Sequence, residues 1–239
     1  MANPTAAMLV IGDEILSGRT RDANMHHLAH CLSGRGIDLR EVRIVGDTEE
    51  AIVTALNALR TAHDHVFTSG GIGPTHDDIT AECVATAFGV PLDIREDARA
   101  ILATNYPGGE ADLTPARLRM ARIPEGGTLI ENPVSKAPGF RIGNVWVMAG
   151  VPVIFAAMLD AVLGELEAGT ALLSESVRIE RGESDVADAL GRIAAAHPDV
   201  SIGSYPFQRD GRFGTDIVLR APARAPLDAA TNAVRALVG

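Results

Sequence analysis

Short apolar runs alternate with longer stretches in which apolar residues recur every three to four positions. Ala6–Ile11 is an unbroken apolar run of strand length, followed by the turn Gly12-Asp13-Glu14. Asn24–Gly34 places Leu28, Ala29 and Leu32 on one side, which predicts a helix closed by Gly34 or Gly36. Leu39–Val45 reads as the second strand. Glu49–Ala62 carries Ile52, Ala55, Leu56 and Leu59 at helical spacing, with two acids at its N-terminal end, and predicts the second helix. His65–Thr68 is a third strand and runs into Ser69-Gly70-Gly71-Ile72-Gly73-Pro74, before a helix expected from about Asp77 to Phe88. A further helix is expected within Pro91–Glu110 and a shorter one over Thr114–Met120. The passage Pro124–Gly139 is loop-rich. Strands follow at Phe140–Ile142 and Val145–Met148, and Ala149-Gly150-Val151-Pro152 turns into a helix ending near Leu166.

Strands and helices taking turns predict an α/β domain around a mostly parallel sheet. After Gly169 the pattern changes. Val177–Glu180, Ser184–Ala196, Val200–Tyr205, Asp216–Ala221 and Leu227–Val238 read as strand, helix, strand, strand and helix, a small α+β unit. The expected division is therefore 1–170 and 171–239.

Composition narrows the function classes. Hydrophobic residues make up 46% and charged residues 22%, which supports a folded core and excludes a disordered chain. A net charge of -10 repels a polyphosphate backbone, so no nucleic-acid partner is expected. Cys31 and Cys83 lack the spacing of a zinc site or a disulfide framework, as expected for a reducing, cytoplasmic setting. The first residues carry no basic region of a signal peptide. The longest apolar stretch, Val145–Leu159, contains Gly150 and Pro152 and falls short of the roughly 18–20 residues that span a bilayer, so no membrane partner is expected.

The chemistry concentrates in residues 68–80. A glycine loop between a strand and a helix start offers free backbone N–H groups to a phosphate, and glycine lets a ligand approach the backbone closely. No Gly-Lys-Ser/Thr follows, and the dinucleotide GxGxxG spacing is missing, so neither of those motifs applies. Asp77 and Asp78 would oppose an anion unless a divalent cation lies between; the other reading is that they cap the helix. Asp13, Glu14 and Asp47 also follow strands, at the sheet edge where ligands bind in open parallel sheets, or serve as turn residues. Lys136 lies in a Pro/Gly loop from which it could reach a phosphate, or it is an exposed loop lysine. His76 adjoins the glycine loop and either touches ligand or lies in solvent. His26 and His30 read as a packed or solvated pair, Cys31 and Cys83 as inert thiols, and Arg35, Arg40 and Arg43 as surface charges.

Gly12-Asp13-Glu14-Ile15-Leu16-Ser17-Gly18 with Asp22-Ala23-Asn24, Val45-Gly46-Asp47, the block Gly70–Thr80, Asn132-Pro133 with Ala137-Pro138-Gly139-Phe140, Gly150-Val151-Pro152 and Gly203-Ser204-Tyr205-Pro206 together resemble the molybdopterin-binding fold family. The resemblance is strongest to the N-terminal domains of CinA-type proteins. It implies a three-layer α/β/α domain with a small α+β appendage that binds a nucleotide or pterin phosphate. Carried over residue by residue, it implies catalytic roles for Asp47 and Asp78. Phosphate or ligand would be bound by Gly70, Gly71, Gly73, Thr75, Asn132 and Lys136. A divalent metal, Mg²⁺, Mn²⁺ or Co²⁺, would be held by Asp47, Asp77, Asp78 and Glu14. The implied activity is metal-dependent hydrolysis of ADP-ribose-type pyrophosphates in a homodimer, with a non-catalytic binding module or a molybdopterin adenylyltransferase as alternatives. Two departures stand out. Ile154 replaces an acidic residue that usually follows Gly-Val-Pro, and these residues leave no room for the deamidase domain of full-length CinA proteins, so deamidation is not expected.

Overall fold

The computed structural model describes residues 2–209 and 211–237. The chain folds as two compact units, Met1–Gly169 and Thr170–Gly239. The first unit begins with β1 (Thr5–Ile11), α1 (Asp13–Leu16), α2 (Asn24–Gly34), β2 (Asp38–Val45), α3 (Glu49–Ala62), β3 (His65–Ser69) and α4 (Thr80–Phe88). It continues through β4 (Leu92–Ile94), α5 (Glu96–Ala103), α6 (Pro115–Leu118), β5 (Arg122–Pro124), β6 (Thr128–Ile130), β7 (Gly139–Ile142), β8 (Val145–Met148) and α7 (Pro152–Leu163), with 3₁₀ turns at Gly109–Asp112 and Arg119–Ala121.

The packing of β1 explains why its sequence is apolar throughout. Ala7, Leu9 and Ile11 pack with Ile52, Leu56 and Leu59 of α3 and with Val84 of α4. Ala6, Met8 and Val10 pack on the other face with Leu28 and Leu32 of α2 and with Phe155 and Leu159 of α7. A strand buried on both faces cannot alternate with polar residues. Two helical layers therefore sandwich one sheet, the three-layer α/β/α architecture expected.

The sheet order is β2-β1-β3-β8-β7-β6. β2, β1, β3 and β8 are mutually parallel, and β7 and β6 extend the edge antiparallel. The chain leaves β1 to one side to form β2 and returns on the other side to form β3. The order thus reverses between β1 and β3, and a ligand crevice belongs outside the carboxyl ends of those strands.

The second unit comprises β9 (Leu173–Ile179), α8 (Glu183–Ala196), β10 (Ser201–Arg209), β11 (Arg212–Ala221) and α9 (Arg224–Arg235). Its antiparallel sheet, ordered β10-β11-β9, buries Val177, Ile179, Ile217 and Leu219 against Val186, Leu190, Leu227 and Val234 of the two helices. This is the expected small α+β unit. Val238, the last residue of the expected final helix, lies outside the described residues.

Three local expectations are corrected. α4 begins at Thr80 instead of near Asp77, so Asp77 and Asp78 belong to the preceding loop and cap no helix. The loop-rich passage contains β6, and the antiparallel pair β4–β5 was not anticipated because three-residue strands beside Pro91 and Pro124 show no alternation. Gly12-Asp13-Glu14 opens the short helix α1 instead of a simple turn. Among the described residues no helix is long and apolar enough to cross a membrane.

Candidate functional site

A cleft of about 540 Å³ opens where the carboxyl ends of β1, β3 and β8 meet the Asp47 turn after β2. Its floor is the glycine loop. Gly70 and Gly71 have φ of 108° and 70°, and an added Cβ would come within 2.2 Å of the Ile11 carbonyl at Gly70 or 2.1 Å of the Thr80 hydroxyl at Gly71. Thr80, fully buried, donates its hydroxyl to the Gly70 carbonyl (2.9 Å) and its N–H to the Gly71 carbonyl (2.9 Å). The Gly70 N–H donates to the carbonyl of Met148 in β8 (3.2 Å). Asn24, at the start of α2 and 3% exposed, donates its amide to Ser69 Oγ and to the Gly150 carbonyl, both at 2.8 Å. The Gly70 and Gly71 carbonyls are thus spent on protein donors. Among the described residues no protein acceptor takes the N–H groups of Gly71, Ile72 and Gly73, and all three residues line the cleft. Successive free N–H groups in such a loop are an anion-binding concavity.

Glu14, Asp47, Asp77 and Asp78 line the same cleft, and among the described residues no Lys, Arg or His does. Asp47 Oδ2 accepts the Asp13 N–H at 2.9 Å. Burial pushes the Asp47 carboxyl above its ordinary value; the Asp13 N–H opposes the shift, and the charges of Asp13, Glu14 and Asp77 add to it. Asp78 Oδ2 accepts both the N–H of Thr75 (2.8 Å) and its hydroxyl, closing a tight turn. One hydroxyl carries one proton, so the Thr75 hydroxyl serves Asp78 in this geometry and Asp77 competes for it. A hydrogen bond offered by the Thr75 hydroxyl and its own N–H hold the exposed Asp77 carboxyl below its ordinary value, helped by the His76 and Arg119 charges.

Among the described residues no three His, Cys, Asp or Glu side chains gather as a ready-made metal cage. The donors present instead suit a hard cation such as Mg²⁺, which is commonly held by one or two carboxylates and completed by substrate phosphate and water. The rest of the lining is largely apolar, with Ile72, Met120, Val151 and Ile154. Ile154 therefore presents hydrocarbon to the cleft where the resemblance led one to look for an acid.

Asn132, 2% exposed, lines the cleft, but its amide is committed to its own loop. Nδ2 donates to Ser135 Oγ (2.7 Å) and the Ala137 carbonyl (2.8 Å), and Oδ1 accepts from Val134 and Ser135. That loop holds Lys136, the single lysine of the chain, at φ 58°, the one non-glycine residue with positive φ among those described. Lys136 does not itself line the cleft. Left-handed backbone costs an L-residue roughly 1–2 kcal/mol. Lys136→Gly is accordingly expected to stabilise the protein by about 1 kcal/mol after glycine's own entropic cost, while Lys136→Ala gains nothing. Thermal melts of the two variants check this; equal melting temperatures would show that the loop is not strained.

The remaining candidates fall outside the cleft. The His76 side chain is 99% exposed. Cys83 is buried, and burial, with Glu49 and Glu82 nearby, pushes its thiol up to about 12, too high for a nucleophile at neutral pH. Sequence reasoning gave no role to Asn24 or Thr80, which build the loop, and missed Arg119, whose guanidinium donates to the Asp78 carbonyl at 2.9 Å.

Comparison with known proteins agrees with this architecture. Residues 7–168 match the family described as "Probable molybdopterin binding domain" and residues 171–239 the one described as "FAD synthase, middle domain". A "Probable FAD synthase" of Caenorhabditis elegans is 31% identical over 258 aligned residues, 98% of this chain and 50% of that protein. A "CinA-like protein" of Shewanella sediminis is 34% identical over 193 residues, 77% of this chain and 46% of that protein. The chain thus spans about half the length of these curated relatives. The crystal structure of the protein CinA with unknown function from Thermoplasma acidophilum superposes with a TM-score of 0.64 at 38% identity, over 69% of this chain and 99% of that one. By the match across residues 7–168, supported by these CinA relatives, the chain belongs to the molybdopterin-binding domain family on its CinA-like side.

Proposed function

We propose that the protein is a divalent-metal-dependent hydrolase of nucleotide diphosphate linkages, with ADP-ribose as the type substrate. One observation carries the reading: an anion-binding loop shares its cleft with four carboxylates and with no cationic side chain among the described residues. Like charges a few ångströms apart in a partly desolvated cleft repel by several kcal/mol, so a diphosphate binds there together with a cation. Asp47, Asp77 or Asp78, with Glu14 in support, would hold such a cation, which when bound would neutralise the diphosphate and lower the pKa of its water.

The chain's own groups supply the rest. The N–H groups of Gly71, Ile72 and Gly73 hold phosphoryl oxygens and stabilise the charge that builds on them. Asp47, oriented by the Asp13 N–H and raised in proton affinity by burial, is suited to take a proton from the attacking water. Water adds to one phosphorus, the bridging P–O bond breaks, and AMP and ribose 5-phosphate leave. The apolar lining of Ile72, Met120, Val151 and Ile154 receives the flat heterocycle.

AMP release from ADP-ribose, followed in Mg²⁺, Mn²⁺ and Co²⁺ and again in excess chelator, tests the proposal. The expected result is release at least about 100-fold faster with metal than with chelator. Tight binding without release under every metal would favour a non-catalytic nucleotide- or pterin-binding module. Transfer of AMP to a pterin acceptor would favour an adenylyltransferase.

A further inference from the structure

Against the glycine loop lies a second, much smaller hollow of about 10 Å³, bounded by Gly71, Gly73, Asp78, Arg119 and Arg122. The two arginines come from the turn Arg119–Ala121 and the start of β5, and they converge on Glu82 of α4. Arg122 Nη2 lies 2.6 Å and Arg119 Nη2 3.4 Å from Glu82 Oε1. From this clasp Arg119 Nη2 also reaches the Asp78 carbonyl at 2.9 Å. Residues 74–78 are otherwise tied by the Thr75–Asp78 turn within the segment itself. Among the described residues, Arg119 is the one side chain from another element that hydrogen-bonds this segment.

We propose that Arg119 is a positioning residue: by holding the backbone carbonyl of Asp78, it fixes the segment that carries Asp77 and Asp78 at the rim of the cleft. The clasp is poorly built for stability alone. Arg119 Nε and Glu82 Oε2 are buried without a protein partner, and a half-buried ion pair that leaves such atoms unsatisfied returns little net free energy. What the clasp does accomplish is a connection between α4, β5 and a segment that has no regular structure. It also sets a guanidinium next to a cleft that lacks cations, without a positive side chain in the cleft lining to compete with the divalent ion. The functional part of this inference rests on the proposed metal site; the positioning part does not.

Hydrogen exchange and Mn²⁺ titration in the presence of ADP-ribose separate the two. Arg119→Gln is expected to raise exchange at the Thr75 and Asp78 amides about 10-fold while α4 (80–88) keeps its protection, because Glu82 retains Arg122. Arg122→Gln, which removes contacts to Glu82 and to the Arg119 carbonyl but none to the segment, is expected to leave both amides at the wild-type rate. Arg119→Lys is expected to restore part of the protection through a single donor. Unchanged exchange in Arg119→Gln would overturn the proposal, as would equal loosening of α4 or an equal effect of Arg122→Gln, each of which marks general stabilisation. In the Mn²⁺ arm, affinity with ADP-ribose is expected to fall about 10-fold in Arg119→Gln. If the wild type binds no Mn²⁺ with ADP-ribose, the metal reading fails, and the exchange results still decide the positioning role.

Discussion

Asp47→Asn is expected to lower metal-dependent AMP release by about 10³-fold and, in metal-free buffer, to raise the melting temperature. The rate loss follows from removing a charge from the reacting end of the cleft and a proton acceptor from the attacking water, contributions that commonly cost roughly 10²–10³ each. The gain in stability has a separate origin. Burial raises the Asp47 carboxyl in the folded protein, whereas in the unfolded chain it titrates near about pH 4. Between that pH and its raised folded value the folded state holds more protons than the unfolded one. Stability therefore falls as pH rises through this window, and at neutral pH the ionised carboxylate is a net cost. The amide carries no charge, and its oxygen can still accept the Asp13 N–H. The difference in melting temperature should be present at neutral pH and vanish near about pH 4. Divalent cation with ADP-ribose should raise the melting temperature of wild type more than that of the variant. A variant that melts lower at neutral pH and retains its turnover would make Asp47 a scaffold residue.

Gly70→Ala is expected to be the most destabilising single-methyl change in the site. The residue sits at φ 108°, and its Cβ would lie 2.2 Å from the carbonyl of Ile11, the last residue of the buried central strand. A flexible side chain could yield, but a backbone carbonyl in a sheet paired on both sides cannot. Strain of roughly 1–2 kcal/mol and overpacking of roughly 1–3 kcal/mol add to about 4 kcal/mol, or a fall of about 10 °C in melting temperature for a unit of this size. Gly34→Ala, in α2 with open space around its Cβ, should melt no lower than wild type, because alanine favours helix. Equal melting of Gly70→Ala and wild type would mean that the loop can withdraw from β1 at little cost.

Much of this geometry was readable in the residues, and some of it was not. α2 and α3 run over the residues their apolar spacing indicates, because each buries one stripe against the sheet. The unbroken run in β1 announced a strand covered on both faces. Residues 77–79 misled because a carboxylate pair ahead of an apolar run reads as a helix start. The competing interaction is the turn in which Asp78 captures Thr75, and the Thr-x-x-Asp spacing of Thr75 and Asp78 is the signal that could have revealed it. Asn132 looked like a ligand contact, but its donors and acceptor are turned onto its own loop, a commitment that spacing alone does not reveal. Arg119 left no local trace. It meets Asp78 across 41 positions of chain, and the pairing depends on how β5 lies against α4. The strands β10 and β11 run past their expected ends through exposed residues such as Gln208 and Phe213, where backbone pairing and not burial sustains them.

The central sheet also sets an order of events. β1, β2 and β3 come from the first 69 residues, but the next strand in space, β8, arrives only with Val145 pairing to Val66. Loop-closure entropy delays a pairing across so long a stretch relative to the early strands. The carbonyl that receives the Gly70 N–H belongs to Met148, and the one that receives the Asn24 amide belongs to Gly150. A nascent chain that has emerged only through α5 can carry a formed half-sheet and still lack the carbonyls that hold the glycine loop and Asn24 in place. The cleft is then completed only at the end of synthesis of the first unit, and under the proposed function a bound nucleotide would act as a latch on the last strand to dock.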